Sequence, residues 1–171
     1  MADYVKYNDI DLTNMIKVKT VESSLTPPRE NSTIDIWERA GEIYNGYRWQ
    51  TREITINFLL LYTEEEYDAN PLILEQGLRD IKSCLNVDRP KALYLNSPDK
   101  FIYAVPDGDV EVSELRYNCA EVTVVFSCFD PFYYSAEPKM VEGTNRLVVN
   151  NEGDLPTDGI VTIGIDEDCH F

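Results

Sequence analysis

Apolar and polar residues alternate along most of this chain, and the alternation predicts strands. The clearest run is Arg52 to Tyr62, with Ile54, Ile56, Phe58 and Leu60 on one face and Thr55, Asn57, Leu59 and Leu61 on the other. The second face turns apolar towards its end, which predicts cover on both sides there. Ile16-Lys17-Val18-Lys19 alternates in the same way, with both lysines outward. Ala92–Leu95 and Phe101–Val105 form a predicted strand pair around the turn sequence Asn96-Ser97-Pro98-Asp99-Lys100. Asp107-Gly108 predicts a further turn before a strand over Val110–Leu115. Glu121–Cys128 puts Val122, Val124, Phe126 and Cys128 on one face, and Asp130-Pro131 ends it. A single helix breaks the series. Leu74, Leu78, Ile81 and Leu85 recur at helical spacing, with Asn70 as predicted N-cap, Pro71 in the first turn and Asn86 at the C-terminal end. Gly77 costs that helix about 1 kcal/mol relative to alanine, so packing must hold it in place.

Two stretches stand outside this pattern. Ser23–Ser32 holds Pro27-Pro28 among small polar residues and reads as a loop. Ile34–Gln50 carries Trp37, Tyr44, Tyr47 and Trp49 beside Gly41 and Gly46, with Arg39 and Arg48 interspersed. Trp, Tyr and Arg are the types enriched at protein–protein hot spots. The same mixture can stack single-stranded nucleic acid, and Trp37 and Trp49 also suit core positions near strand ends.

Charge decides part of this. Thirty-one acids against 15 Lys and Arg give a net charge of -16, which repels phosphate backbones and anionic lipid. Direct nucleic-acid or membrane binding is therefore not expected, and no apolar run approaches the roughly 18 residues of a membrane span. Hydrophobic residues make up 43% of the chain, enough for a real core without disulfides or metal. The acidic start, Met1-Ala2-Asp3-Tyr4, has no signal-peptide character, so a soluble protein made in a cytoplasm is expected.

From Glu137 the character changes. Asn145–Asn150 and Gly159–Ile165 read as strands about a turn at Asn151-Glu152-Gly153, in a stretch of roughly 35 residues that is too short to fold alone. The expected organisation is one complete domain over residues 1–136 and the opening of a second β domain over 137–171. Catalytic signals are missing. The single histidine, His170, is next to the last residue, and Cys84, Cys119, Cys128 and Cys169 have no metal-ligand spacing, so reduced core thiols are expected. Asp107, Asp109 and Glu111 fall short of a calcium loop and read as a solvated turn. Phosphate-binding glycine motifs do not occur. No enzyme, no cofactor and no metal site is expected.

Taken in order, several motifs resemble the distal tail proteins of long-tailed phages, the Dit family. Tyr7-Asn8-Asp9-Ile10-Asp11-Leu12 matches the family's strand entry. A glycine-containing loop, Glu38-Arg39-Ala40-Gly41, precedes the long strand Arg52-Glu53-Ile54-Thr55-Ile56-Asn57-Phe58. The lone helix over Leu78–Leu85 and the hairpin Ser97-Pro98-Asp99-Lys100-Phe101-Ile102-Tyr103-Ala104 follow in the family's order. Phe126-Ser127-Cys128-Phe129-Asp130-Pro131-Phe132-Tyr133-Tyr134 matches its closing motif closely. The loop departs from the family's G-R-D-G, with Glu38 and Ala40 at the first and third positions.

The resemblance implies a mainly β fold: a β-sandwich with one α-helix and an extended hairpin or arm. It also implies a structural hub at the virion tail tip, assembled in the host cytoplasm as a hexameric ring. Such a ring joins the tail tube protein to tail-associated fibre or lysin proteins and to receptor-binding proteins. Trp37, Arg39, Tyr44, Tyr47 and Trp49 are the expected subunit or partner surface. The alternative is a carbohydrate-binding module in which rings such as Trp49 stack on sugar faces.

Overall fold

The computed structural model describes residues 4–143, 147–151, 153, 156 and 159–163. The backbone divides into two units, Met1–Glu137 and Pro138–Phe171. The first unit is mainly β, as expected. Its strands are β1 (Val5–Tyr7), β2 (Ile10–Asp11), β3 (Ile16–Ser23), β4 (Arg29–Asp35), β5 (Glu42–Trp49), β6 (Arg52–Leu61), β7 (Lys91–Leu95), β8 (Lys100–Arg116), β9 (Cys119–Cys128) and β10 (Tyr134–Ser135). Two helices, α1 (Glu64–Ala69) and α2 (Ile73–Leu85), lie between β6 and β7.

Strand β8 ties two halves of one antiparallel sheet together. Its first residues pair with β7 and, at Phe101 and Lys100, with β10, while the stretch from Val105 to Arg116 pairs with β9. The full order is β2-β1-β7-β8-β9-β6-β3. The inner faces of both halves meet in one core: Val5, Tyr7, Leu93 and Ile102 from the first, Ile54, Ile56, Phe58, Val122, Val124 and Phe126 from the second. Tyr7 links them directly. Its ring meets Phe126 edge-on at 5.1 Å, and its hydroxyl donates to the Ala104 carbonyl at 3.1 Å. Helix α2 closes the core with Leu74, Ile81 and Cys84, and Leu78 and Leu85 are half-buried beside them. A void of about 20 Å³ between these layers is lined by apolar side chains including Ile56, Ile81 and Phe126.

Several expectations need correction. Among the described residues there are two helices where one was expected. Thr63 caps α1 through a capping box: its hydroxyl accepts from the Glu66 N–H at 3.2 Å, and the Glu66 carboxylate accepts from the Thr63 N–H at 2.8 Å. The Thr63 N–H, and with it the Thr63 hydroxyl at 2.9 Å, donate to the Glu66 carboxylate and hold it below its ordinary pKa. Asn70 ends α1 as its C-cap in extended conformation, because Pro71 bars the residue before it from helical backbone. Helix α2 then begins at Ile73 with no side-chain cap at Leu72. Asn86 does stand at its C-terminal end, donating its N–H to the Lys82 carbonyl.

Asp107-Gly108 is no chain-reversing turn but a bulge within β8, where the register shifts between Asp107 and Glu111 and Gly108 takes φ +70°. Leu61, expected under cover, is 53% exposed, so the outer face of β6 remains open at that end. Ser23–Ser32 is partly strand, since β4 begins at Arg29. In the second unit none of the described residues belongs to a helix or strand. Val148, Val149, Ile160, Val161 and Ile163 stand exposed, and without a ladder partner their alternation has no backbone pairing to fix it. Asn145, Ile165, Cys169 and His170 lie outside the described residues. The Asn151 turn forms as an Asx turn, its side-chain oxygen accepting from the Gly153 N–H at 2.9 Å.

Gly77 has a packing role that propensity alone does not reveal. A Cβ there would stand 2.3 Å from the Tyr62 hydroxyl and 2.9 Å from a Leu60 methyl, and Leu60 is fully buried. Glycine therefore lets α2 lie close on β6. Gly77→Ala should lower stability by about 1–3 kcal/mol by overpacking, despite its gain in helix propensity. Adding Tyr62→Phe should recover part of the loss. Urea denaturation of the two variants checks this, and a stabilised Gly77→Ala chain would contradict it.

Candidate functional site

The described candidate surface is an arm. Strands β4 and β5 pair only with each other, as a two-stranded sheet separate from the body. They continue the β3–β6 hairpin past a break: Ser23 is opposite Ile54 at its end, and Arg29 is opposite Trp49 where pairing resumes. Five residues, 24–28, bridge the break on one side and two, Gln50 and Thr51, on the other. Every residue of β4 is exposed. Its sequence, Arg29-Glu30-Asn31-Ser32-Thr33, has no apolar face to bury, so backbone pairing and the exposed Arg48–Glu30 ion pair at 2.7 Å accompany it instead.

The five predicted site residues all lie on this arm but divide into two places. Trp37 and Arg39 sit in the tip turn, where Trp37 is 91% exposed and Glu38 and Gly41 adopt positive φ. Tyr44 is exposed along the arm. Tyr47 is half-exposed nearer the base, with the Arg29 guanidinium 5.3 Å above its ring and Trp49 edge-on at 5.1 Å. Trp49 is half-buried, because its other neighbour is Phe132, edge-on at 5.6 Å. Trp37, Tyr44 and Tyr47 are therefore surface residues, and Trp49 anchors the arm. Ile34 and Ile36, both over 40% exposed, join Trp37 near the tip. Their alternation with polar neighbours was a readable strand signal. Phe132 and Tyr133, which complete the base, gave no such signal at 80 residues' distance.

At the break lies Arg52, 3% exposed. Its guanidinium donates to the carbonyls of Ser24 and Leu25 at 3.2 and 3.3 Å and lies 5.4 Å from the centre of the Tyr133 ring. Its Nε has no hydrogen-bond partner, and none of the described carboxylates pairs with it. Burial raises the Tyr133 hydroxyl pKa, against the lowering effect of Arg52.

A second, partly exposed aromatic group lies on the outer face of the body. Tyr94, Phe101 and Tyr134 form a cross-strand row, with Phe101 at 5.4 and 5.8 Å from its neighbours and Tyr103 at 5.1 Å beside it. Lys6 sits over Tyr94 at one end, and Tyr134 donates to Asp130 at the other.

Reactive chemistry is not assembled around these surfaces. Among the described residues no group of three or more His, Cys, Asp or Glu is placed to hold a metal. No described helix is long and apolar enough to cross a membrane. Cys84, Cys119 and Cys128 are free and buried. What the arm offers is exposed ring area, a few charges and open strand edges.

The chain belongs to the phage tail proteins with a RIFT-related domain, whose family model matches residues 10–128. Its fold is similar to that of the Dit protein of phage SPP1, described as a paradigm of hub adsorption apparatus in phages infecting Gram-positive hosts. That structure superposes with a TM-score of 0.62 at 19% identity, over 77% of this chain and 51% of the SPP1 protein. The chain thus spans about half the length of that relative. No curated protein matches the sequence. The distal-tail resemblance read from the motifs holds, and this is a structural phage tail protein.

Burial pushes the thiols of Cys84 and Cys128 up to about 11 from an ordinary value near 9. At pH 8 both should resist a thiol reagent in the folded chain and react on denaturation. Because the folded values are raised, their contribution to stability is present below about pH 9 and lost as pH rises through about 11. Alkylation followed by peptide mass mapping checks the first point, and melting between pH 8 and 11 the second.

Proposed function

We propose that this chain builds a ring at the virion tail tip, assembled in the host cytoplasm, with the arm of each copy reaching its neighbour. The ring is hexameric and joins the tail tube protein to tail-associated fibre or lysin proteins and receptor-binding proteins. Residues 1–136 are its ring-building domain, and 137–171 begin a second β domain. The observation that carries this reading is the arm: a two-stranded hairpin exposing Ile34, Ile36, Trp37, Tyr44 and Tyr47, apart from the body sheet. Exposed large apolar side chains grouped on one protrusion mark an interaction site, and Trp, Tyr and Arg are the residues that carry such contacts. A lone hairpin is marginal in water, so a neighbour that covers it also stabilises it.

A second reading, glycan binding, finds poor support at Trp49, whose ring is flanked edge-on by Tyr47 and Phe132. The row Tyr94, Phe101 and Tyr134 is the more stacked aromatic surface, with Tyr134 exposed, Tyr94 and Phe101 half-buried, and Asp130 beside it. Calorimetric titration with cell-wall polysaccharide, repeated on Phe101→Ser, decides whether that row binds sugar.

Light scattering coupled to size exclusion should give a species near six subunits that dissociates on dilution. Trp37→Ala and Tyr44→Ser should each weaken association at least tenfold, about 1.4 kcal/mol, with melting cooperative and little changed. A monomer at every concentration would overturn the ring. Loss of cooperative melting in the variants would place these side chains in the core instead.

A further inference from the structure

We propose that Arg52 is a positioning residue that sets the angle of the arm. The body hairpin β3–β6 and the arm hairpin β4–β5 are parts of one interrupted ladder, and unequal connections of five and two residues separate them. Unequal connections leave the longer side with carbonyls outside the ladder. Arg52 supplies what is missing there: Nη2 donates to Ser24 and Leu25, on the longer connection, from the first residue of β6, just past the shorter one. The planar guanidinium at the same time lies against Tyr133. Trp49, at the end of the arm, meets Phe132, the residue before Tyr133. The arm base is thus held from two sides by the stretch that follows β9.

Arginine is suited to this task where lysine is not. One terminal nitrogen, Nη2, donates to two carbonyls while the planar guanidinium lies over a ring, and a lysine ammonium has no plane to stack there. The side chain is 3% exposed with its Nε unpaired and no described carboxylate beside it, so charge pairing does not account for its place. The geometry of the break does. Angle matters because head-to-tail contacts close into a ring only at the right rotation and otherwise run on as open polymers. This last step rests on the ring reading above, whereas the latch itself does not.

The test separates the two. Spin labels at Asp35→Cys on the arm and Asp99→Cys on the body, in a Cys169→Ser background, report the arm–body distance distribution by pulsed electron resonance. Dilution with unlabelled chain keeps the signal within one copy. Wild-type Arg52 should give one narrow distribution, and Arg52→Met should broaden it at least twofold, with Arg52→Lys in between. Tyr133→Leu, which removes the ring and hydroxyl beside the guanidinium and leaves its carbonyl partners in place, should broaden it too and serves if Arg52→Met fails to fold. Electron microscopy of the same samples should show closed rings giving way to open or mixed oligomers. Distributions as narrow as wild type in the folded Arg52→Met chain, or in Tyr133→Leu where Arg52→Met does not fold, would overturn the latch. Broadened distributions in a chain that never assembles would uphold the latch and remove the ring.

Discussion

The antiparallel pairing of β6 with β9 is the constraint on which the rest depends. Ten residue pairs run without interruption from Arg52 opposite Cys128 to Leu61 opposite Cys119. Ile54 faces Phe126, Ile56 faces Val124, Phe58 faces Val122 and Leu60 faces Ala120, and all eight are at most 4% exposed. Burial contributes about 1.5–3 kcal/mol for each large apolar side chain, so a slip of one residue, which would turn that face outward, is strongly disfavoured. Strand β9 then carries β8, β6 carries β3, and α2 lies on β6 through Gly77. The bulge in β8 is tolerated because β9 holds pairs on both sides of it. Arg52 is where it is because it is the first residue of this ladder.

That dependence explains what could be read in the chain beforehand. The pattern of β6 and β9 is legible because each is buried on one full face, and burial is what writes a period of two into a sequence. The arm buries nothing along β4, so the same physics leaves Arg29–Thr33 without a pattern, and turn-forming prolines made it look like loop. Asp107-Gly108 carries local turn chemistry, but whether such a dipeptide reverses the chain or bulges it depends on the strand beside it. Helix α1 is the opposite case. Thr63 and Glu66 spell a capping box, a local signal present in the sequence ahead of α1. The stripe Leu74, Leu78, Ile81 and Leu85 located α2, and Cys84 is the core thiol expected there, but the role of Gly77 in bringing the helix close to the sheet was not legible.

The candidate surface was legible by residue type and not by arrangement. Trp, Tyr and Arg crowding into Ile34–Gln50 marked the segment, and all five predicted residues are on the arm. Their division into an exposed tip and an anchored base depends on Phe132 and Tyr133, far along the chain, and no local pattern announces a contact of that span.

An exposed arm faces a conflict between reach and order. Two strands with little to bury do not hold a direction by themselves, and a partner that must first fix a loose arm loses affinity to that ordering. Stiffness must therefore come from the base, where the arm meets a body already fixed by β6 and β9. The buried Nε of Arg52, a donor without an acceptor, costs about 1–3 kcal/mol. The folded chain can carry such a cost because the adjoining ladder is deeply buried. Stability surplus in the body would in this way be converted into direction at the arm, and in the proposed ring only that direction would let exposed rings such as Trp37 meet the same surface in every copy.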